Sequence, residues 1–126
     1  MIADTSFLVA LFLAEDELHD KALGNLINYK QEKIIIPDRV LEETFTVLVY
    51  KKDINYALEV IDKLGKNNDI ILYRIEEVDW TAIIRLVNKV KKKLSFVDYS
   101  VIYLCIKNGE KALCFDNEIN KIVNRY

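Results

Sequence analysis

The chain has 126 residues and 52% apolar content, enough for one domain with one core over 1–126 and too little for two. Its longest stretches nearly free of charge are too short to cross a bilayer. A net charge of −2 excludes a bulk basic footprint for nucleic acid, so any attraction to RNA must be local or carried by a metal ion.

Residues 1–4 (MIAD) read as a very short strand. Residues 6–14 (SFLVALFLA) are as apolar as the core of a signal peptide. However, no Lys or Arg precedes them and the acidic cluster Glu15 to Glu17 follows directly, so they read as a buried helix in a cytoplasmic protein. A helix over 16–29 carries His19 among charged neighbours, which reads as a solvated side chain. The β-branched run 34–37 (IIIP) is a strand stopped by Pro37, and a helix follows over 39–51.

Asp53 can cap the next helix, whose apolar positions Ile54, Ala57, Leu58, Ile61 and Leu64 fit the 3.6-residue period and which Gly65 can end. Residues 69–75 (DIILYRI) are a strand, 77–93 a helix with a basic end, and 96–108 a helix closed by Asn108-Gly109. Residues 111–115 (KALCF) form the last strand, and the tail after Asn117 is helical. Short β runs alternating with helices predict an α/β fold, with a mostly parallel central sheet and helices on both faces. Cys105 and Cys114 sit in apolar runs without any CxxC or Cys/His pairing and read as reduced core thiols. A single His argues against zinc.

Four acids stand in informative places. Asp4 follows the apolar pair Ile2-Ala3, and Asp116 follows Leu113, Cys114 and Phe115; each precedes a helix. Ligands of open α/β sheets gather outside the carboxyl ends of the strands, so both carboxylates are candidates for one site. Each is equally suited to capping its helix. Glu43 has Val40, Val47 and Tyr50 at helical spacing, which puts it either on an apolar stripe, where an unpaired carboxylate is costly, or at that stripe's wet margin. Its neighbour Glu42 reads as a solvated surface charge. Ser95-Phe96-Val97-Asp98 is a capping box that explains Asp98 without chemistry, although a carboxylate fixed in a first turn can also ligate. Converging carboxylates need a cation to stay ionised, and hard oxygen donors favour Mg²⁺ or Mn²⁺. Such a centre suits phosphodiester hydrolysis.

Four segments now make a resemblance visible: IADTSFLVAL at 2–11, IPDRVLEETFTVL at 36–48, LSFVDYSVIYL at 94–104 and LCFDNEI at 113–119. In order and spacing the chain resembles PIN domains, in particular the VapC-type toxins of toxin–antitoxin pairs, along nearly its whole length. The resemblance implies a three-layer α/β/α sandwich that is often a homodimer. It also implies a metal-dependent ribonuclease with Mg²⁺ or Mn²⁺ as cofactor, RNA as substrate and an antitoxin protein as partner. Carried over to this chain, the metal-site acids are Asp4, Glu43, Asp98 and Asp116, with Asp4 and Asp98 the firmest ligands. Ser6, beside the first acid, matches a small hydroxyl residue that orients an acid or a water. The family often has Thr or Ser two positions before the fourth acid. Cys114 stands there, which leaves that hydroxyl role unfilled.

Arg85, Lys89, Lys91, Lys92 and Lys93 crowd a stretch without acids that leads into the Asp98 motif. They either guide RNA phosphates toward the site or form a solvated helix end that complements the helix dipole. Alternatives to the toxin are a PIN nuclease of RNA processing without an antitoxin and a catalytically idle PIN scaffold that binds protein or RNA; the full set of acids argues against the idle scaffold. A phosphoacceptor receiver domain requires an acidic pair after its first strand, whereas Thr5 and Ser6 follow Asp4.

Overall fold

The computed structural model describes residues 1–29 and 32–126. The strands are β1 (Ile2–Ala3), β2 (Ile34–Pro37), β3 (Ile70–Tyr73) and β4 (Ala112–Leu113). They form one parallel sheet in the order β3-β2-β1-β4. The helices among the described residues are α1 (Thr5–Phe12), α2 (His19–Asn28), α3 (Asp38–Lys51), α4 (Ile54–Lys66), α5 (Glu77–Val90), α6 (Phe96–Asn108) and α7 (Asn117–Arg125). None of them is long and apolar enough to cross a membrane. Parallel strands need crossover connections, and helices supply them here, as the alternation of β runs and helical patterns predicts.

The sheet is narrow because its centre is short. Ile2 and Ala3 are fully buried, with β2 on one side and β4 on the other. The Asp4 N–H donates to the Leu113 carbonyl at 2.9 Å. β4 is therefore only Ala112–Leu113, shorter than the run 111–115, because β1 offers no further backbone to pair with. Pro37 is the last residue of β2, where its missing N–H does little harm to the ladder, and it leads straight into α3. Phe7, Leu8, Ile36, Leu48, Ile83, Ile102 and Leu104 fill the core around the strands.

Several boundaries depart from expectation for local reasons. α1 ends at Phe12 and α2 begins only at His19. Between them, the Asp16 carboxylate accepts the Leu18 N–H at 2.8 Å and the Asp16 N–H donates to the Leu13 carbonyl at 3.1 Å. Such side-chain turns compete with helix. His19 is not a free solvated side chain: its Nδ1 lies 2.7 Å from the Ala10 carbonyl and ties α2 to α1. α4 runs through Gly65 to Lys66. α5 stops at Val90, with Lys91 in the left-handed region (φ 55°), so the basic end expected at 91–93 lies in the loop. Asp53 caps α4 by accepting the Tyr56 N–H at 2.7 Å. Gly109 (φ 64°) closes α6 in the left-handed conformation that glycine adopts without strain.

Candidate active site

Asp4 leaves β1 at the N-cap position of α1, but its side chain does not cap. It is 4% exposed, and its one side-chain partner is the Ser6 hydroxyl, which donates to Oδ2 at 3.0 Å. Burial pushes the carboxyl above its ordinary range; the Ser6 hydroxyl and the Thr5 and Ser6 amides pull it back, and the Asp98 charge adds to the rise. The net direction is upward. An unscreened, buried negative charge facing another negative charge is the electrostatic signature of a group that wants a cation.

Asp98 stands in the first turn of α6. Its amide donates to Ser95 Oγ at 3.0 Å, and its Oδ2 accepts the Ser95 N–H at 3.2 Å, so the capping box forms as the sequence predicts. Asp116 caps α7, accepting the Glu118 N–H at 2.9 Å. Both carboxylates are thus held by backbone and keep lone pairs free. Glu43 comes from α3, where the phase differs from expectation. Val40, Thr44 and Leu48 face the core, while Tyr50 is 85% exposed, so Glu43 sits at the margin of the buried stripe. Its own row on the helix is Glu43, Val47 and Lys51, at successive turns.

These rows meet at one cavity of about 580 Å³ whose walls include Asp4, Ser6, Glu43, Asp98 and Asp116, together with Asp16, Val47, Lys51 and Phe115. It opens at the carboxyl ends of β1 and β4, where parallel sheets collect ligands. Among the described residues, none of the four acids forms a salt bridge. Nor do any three His, Cys, Asp or Glu side chains stand close enough together to ligate an ion as they are placed. The donor chemistry nonetheless fits a hard divalent cation: every candidate ligand is a carboxylate, and the one buried carboxylate lacks a protein counter-charge. Soft ligation has no support. Burial pushes the Cys114 thiol up to about 11, which keeps it neutral, and its Sγ donates to the Asp116 carbonyl at 3.6 Å. Burial likewise pushes Cys105 up to about 12, and both thiols are free, as the sequence reading expects.

Lys51 and Asp16 lie on the cavity wall without having been singled out from the sequence. Lys51 had a readable signal, since it falls two turns after Glu43 on the same helix face. Asp16 had none beyond membership of an acidic cluster. The basic run is divided among several partners. Lys92 Nζ pairs with Glu118 at 3.3 Å, and Lys89 Nζ stands 5.1 Å over the Tyr126 ring. Arg85 and Lys89 line a separate depression with Tyr103 and Lys107, and none of the five basic residues lines the acidic cavity.

The model of the PIN domain matches residues 1–124. The chain belongs to the PIN-domain family. Among solved structures, this PIN domain superposes on VapC20 of Mycobacterium tuberculosis, described as a toxin that cleaves the sarcin-ricin loop. The TM-score is 0.81 at 24% identity, over 95% of this chain and 92% of that one. At that identity the likeness speaks for the fold. No curated protein matches the sequence.

Proposed function

We propose that this PIN domain is a metal-dependent ribonuclease that hydrolyses RNA phosphodiester bonds, with Mg²⁺ or Mn²⁺ as cofactor, and that it is the toxin of a toxin–antitoxin pair. The observation that carries this reading is Asp4: a buried carboxylate pushed toward protonation by burial and by Asp98, in a cavity also lined by Glu43 and Asp116. Asp4 and Asp98 are the principal ligands, completed by Glu43 and Asp116. When bound, the divalent ion supplies Lewis acidity at the phosphate and a water of lowered pKa. The chain's own groups do the rest. Ser6 fixes the orientation of Asp4, and the capping box fixes Asp98. Lys51, on the same wall as Glu43, offers the incoming phosphate a positive charge. VapC20, which shares the fold, is described as a toxin that cleaves the sarcin-ricin loop, and that supports the toxin role. Exposed Tyr50, Ile54 and Leu58, along α3 and α4, offer apolar surface for an antitoxin or a second copy of the chain to cover.

The test is cleavage of RNA with and without metal. Cleavage should appear with Mg²⁺ or Mn²⁺, stop in excess chelator and return when metal is restored. Asp4→Asn, Glu43→Gln, Asp98→Asn and Asp116→Asn should each suppress it, while exposed Glu59→Gln on α4 should not. Undiminished cleavage in excess chelator would overturn the metal-dependent reading.

A further inference from the structure

A second cavity, of about 600 Å³, lies at the end of the sheet away from the acids. Met1, Lys111 and Ala112 place it at the amino ends of β1 and β4, whereas the acid-lined cavity opens at their carboxyl ends. Its cause is local. Gly109 turns the chain left-handed out of α6 and toward β4, and α7 returns against α6 with Ile119 and Ile122 buried. The row beside that stripe, Asn120, Val123 and Asn124, is left lining the gap.

Asn120 is half-buried and Asn124 exposed, one turn apart on the same face of α7. Among the described residues neither carboxamide has a hydrogen-bond partner. Each carries both donor and acceptor, so the pair matches a planar ligand whose edge presents the two side by side. Adenine has such an edge at N6 and N7, and asparagine reads it with two hydrogen bonds. Ile106, Val123 and Tyr29 supply apolar lining on which a flat base can rest. The rim supplies charge. Lys111 forms no ion pair among the described residues, and its backbone is fixed by the Ile2 N–H, which donates to its carbonyl at 2.9 Å. Lys89 and Arg125 add positive charge nearby, 5.1 and 5.6 Å from the centroid of the Tyr126 ring in the cavity wall. Glu110, the acid of this wall, is already paired with the Met1 α-ammonium at 3.0 Å. Cations in excess over free carboxylate suit a phosphate.

We propose that this cavity binds a free adenine mononucleotide, with Asn120 and Asn124 on the base edge and Lys111 on the phosphate. The size is that of a small-ligand site. The two cavities open at opposite ends of β1 and β4, so the proposal does not rest on the ribonuclease reading and stands or falls without it. The probes are AMP, GMP and ribose 5-phosphate, titrated calorimetrically into the intact protein in excess chelator. A 5′-phosphorylated triadenylate distinguishes a free nucleotide from the end of an RNA strand.

AMP should bind saturably and raise the melting temperature as its concentration rises. GMP presents an acceptor where adenine has its amino donor, and ribose 5-phosphate has no base; each should bind about tenfold more weakly or worse. Asn120→Ala and Asn124→Ala should each weaken AMP about tenfold and erase its advantage over GMP. Lys111→Ala should weaken AMP and ribose 5-phosphate alike. Absence of saturable AMP binding, or equal binding of AMP, GMP and ribose 5-phosphate, would overturn the proposal, and neither result needs a variant that folds. An AMP preference that survives both asparagine variants, or that is lost in Lys51→Ala rather than Lys111→Ala, would move the nucleotide to the acid-lined cavity and also overturn it. Triadenylate binding tenfold tighter than AMP would make the cavity part of an RNA path, which overturns the assignment to a free nucleotide.

Discussion

Asp4 and Asp79 are both nearly inaccessible carboxylates, at 4% and 1% exposure, and the chain treats them in opposite ways. Asp79, near the start of α5, accepts hydrogen bonds from the Tyr73 hydroxyl at 3.0 Å, the Tyr103 hydroxyl at 2.7 Å and the Glu76 amide at 2.9 Å. Lys107 Nζ stands 3.6 Å away. Burial pushes Asp79 up, but the Glu76 amide, the two phenols and the Lys107 charge outweigh it and hold the carboxyl below its ordinary range. Asp4 has the Ser6 hydroxyl and local amides, no cation, and Asp98 opposite. Burial alone therefore does not mark a functional acid. The informative quantity is what the protein offers in return for burial: a full set of donors at Asp79, an incomplete one at Asp4.

Removing Asp79 should do the most damage to the fold. Asp79→Ala leaves two phenol hydroxyls, the Glu76 amide and the Lys107 charge without their shared acceptor. It should cost about 2–5 kcal/mol of stability in urea denaturation. Metal-dependent cleavage per folded molecule should stay near the native rate, because none of these groups lines the acidic cavity. A loss well under about 1 kcal/mol would show that the network is ornamental and would break the contrast with Asp4.

Asp4→Asn should do the reverse: little or no loss of metal-free stability, and a loss of cleavage of about a hundredfold or more. The stabilisation gained on adding Mg²⁺ or Mn²⁺ should shrink with it, since only ligands of the folded state produce that gain. The pH dependence separates the two acids further. Asp4 titrates above its ordinary value of 3.8 when folded. The folded chain then holds the extra proton between 3.8 and the raised value, so metal-free stability is fully present below that interval and falls as pH rises through it. Asp79 titrates below 3.8, so its stabilisation is present above that value and lost as pH falls through the lowered one. Asp4→Asn should flatten the first slope and Asp79→Asn the second. Melts of the metal-free proteins across acidic pH would show it, and a slope surviving Asp4→Asn would remove Asp4 as its source.

The contrast also shows what a sequence can disclose. The order of elements, the parallel sheet and the Ser95–Asp98 box are legible because period, composition and short motifs are local, and local rules decide them. Asp4 and Asp116 stand out because they end strands, and the structure brings both to one cavity with Glu43 and Asp98. Asp79 gives no such sign. Its partners Tyr73 and Tyr103 come from β3 and α6 and reach it only through tertiary packing. The phase of α3 is half legible: Val40 and Val47 have the expected surroundings, but Tyr50, in the last turn, is exposed. Lys89 and Lys92 look like one basic run in sequence, yet a left-handed Lys91 lies between them and they take partners at opposite ends of α7.

Ser6→Ala should have the smallest effect and test the Asp4 side of the contrast most finely. Ser6 is itself exposed, and its hydroxyl is the one side-chain donor that favours the charged form of Asp4. Deleting it removes a single hydrogen bond from an exposed hydroxyl, about 0.5–1.5 kcal/mol, so cleavage should fall by roughly two- to tenfold. The direction with pH is fixed as well. Without the Ser6 donor the Asp4 carboxyl rises further, so the acidic limb of the activity profile should move to higher pH, and the deficit should be largest at acidic pH and smallest where Asp4 is fully ionised. Ser6→Thr keeps the hydroxyl and should restore the native limb. A residue that merely packed at the first turn of α1 would lower activity evenly at every pH, and threonine would not rescue it. An unshifted limb in Ser6→Ala, with an even loss of rate, would therefore assign Ser6 to the helix start and leave Asp4 to be tuned by burial, the Thr5 and Ser6 amides and Asp98.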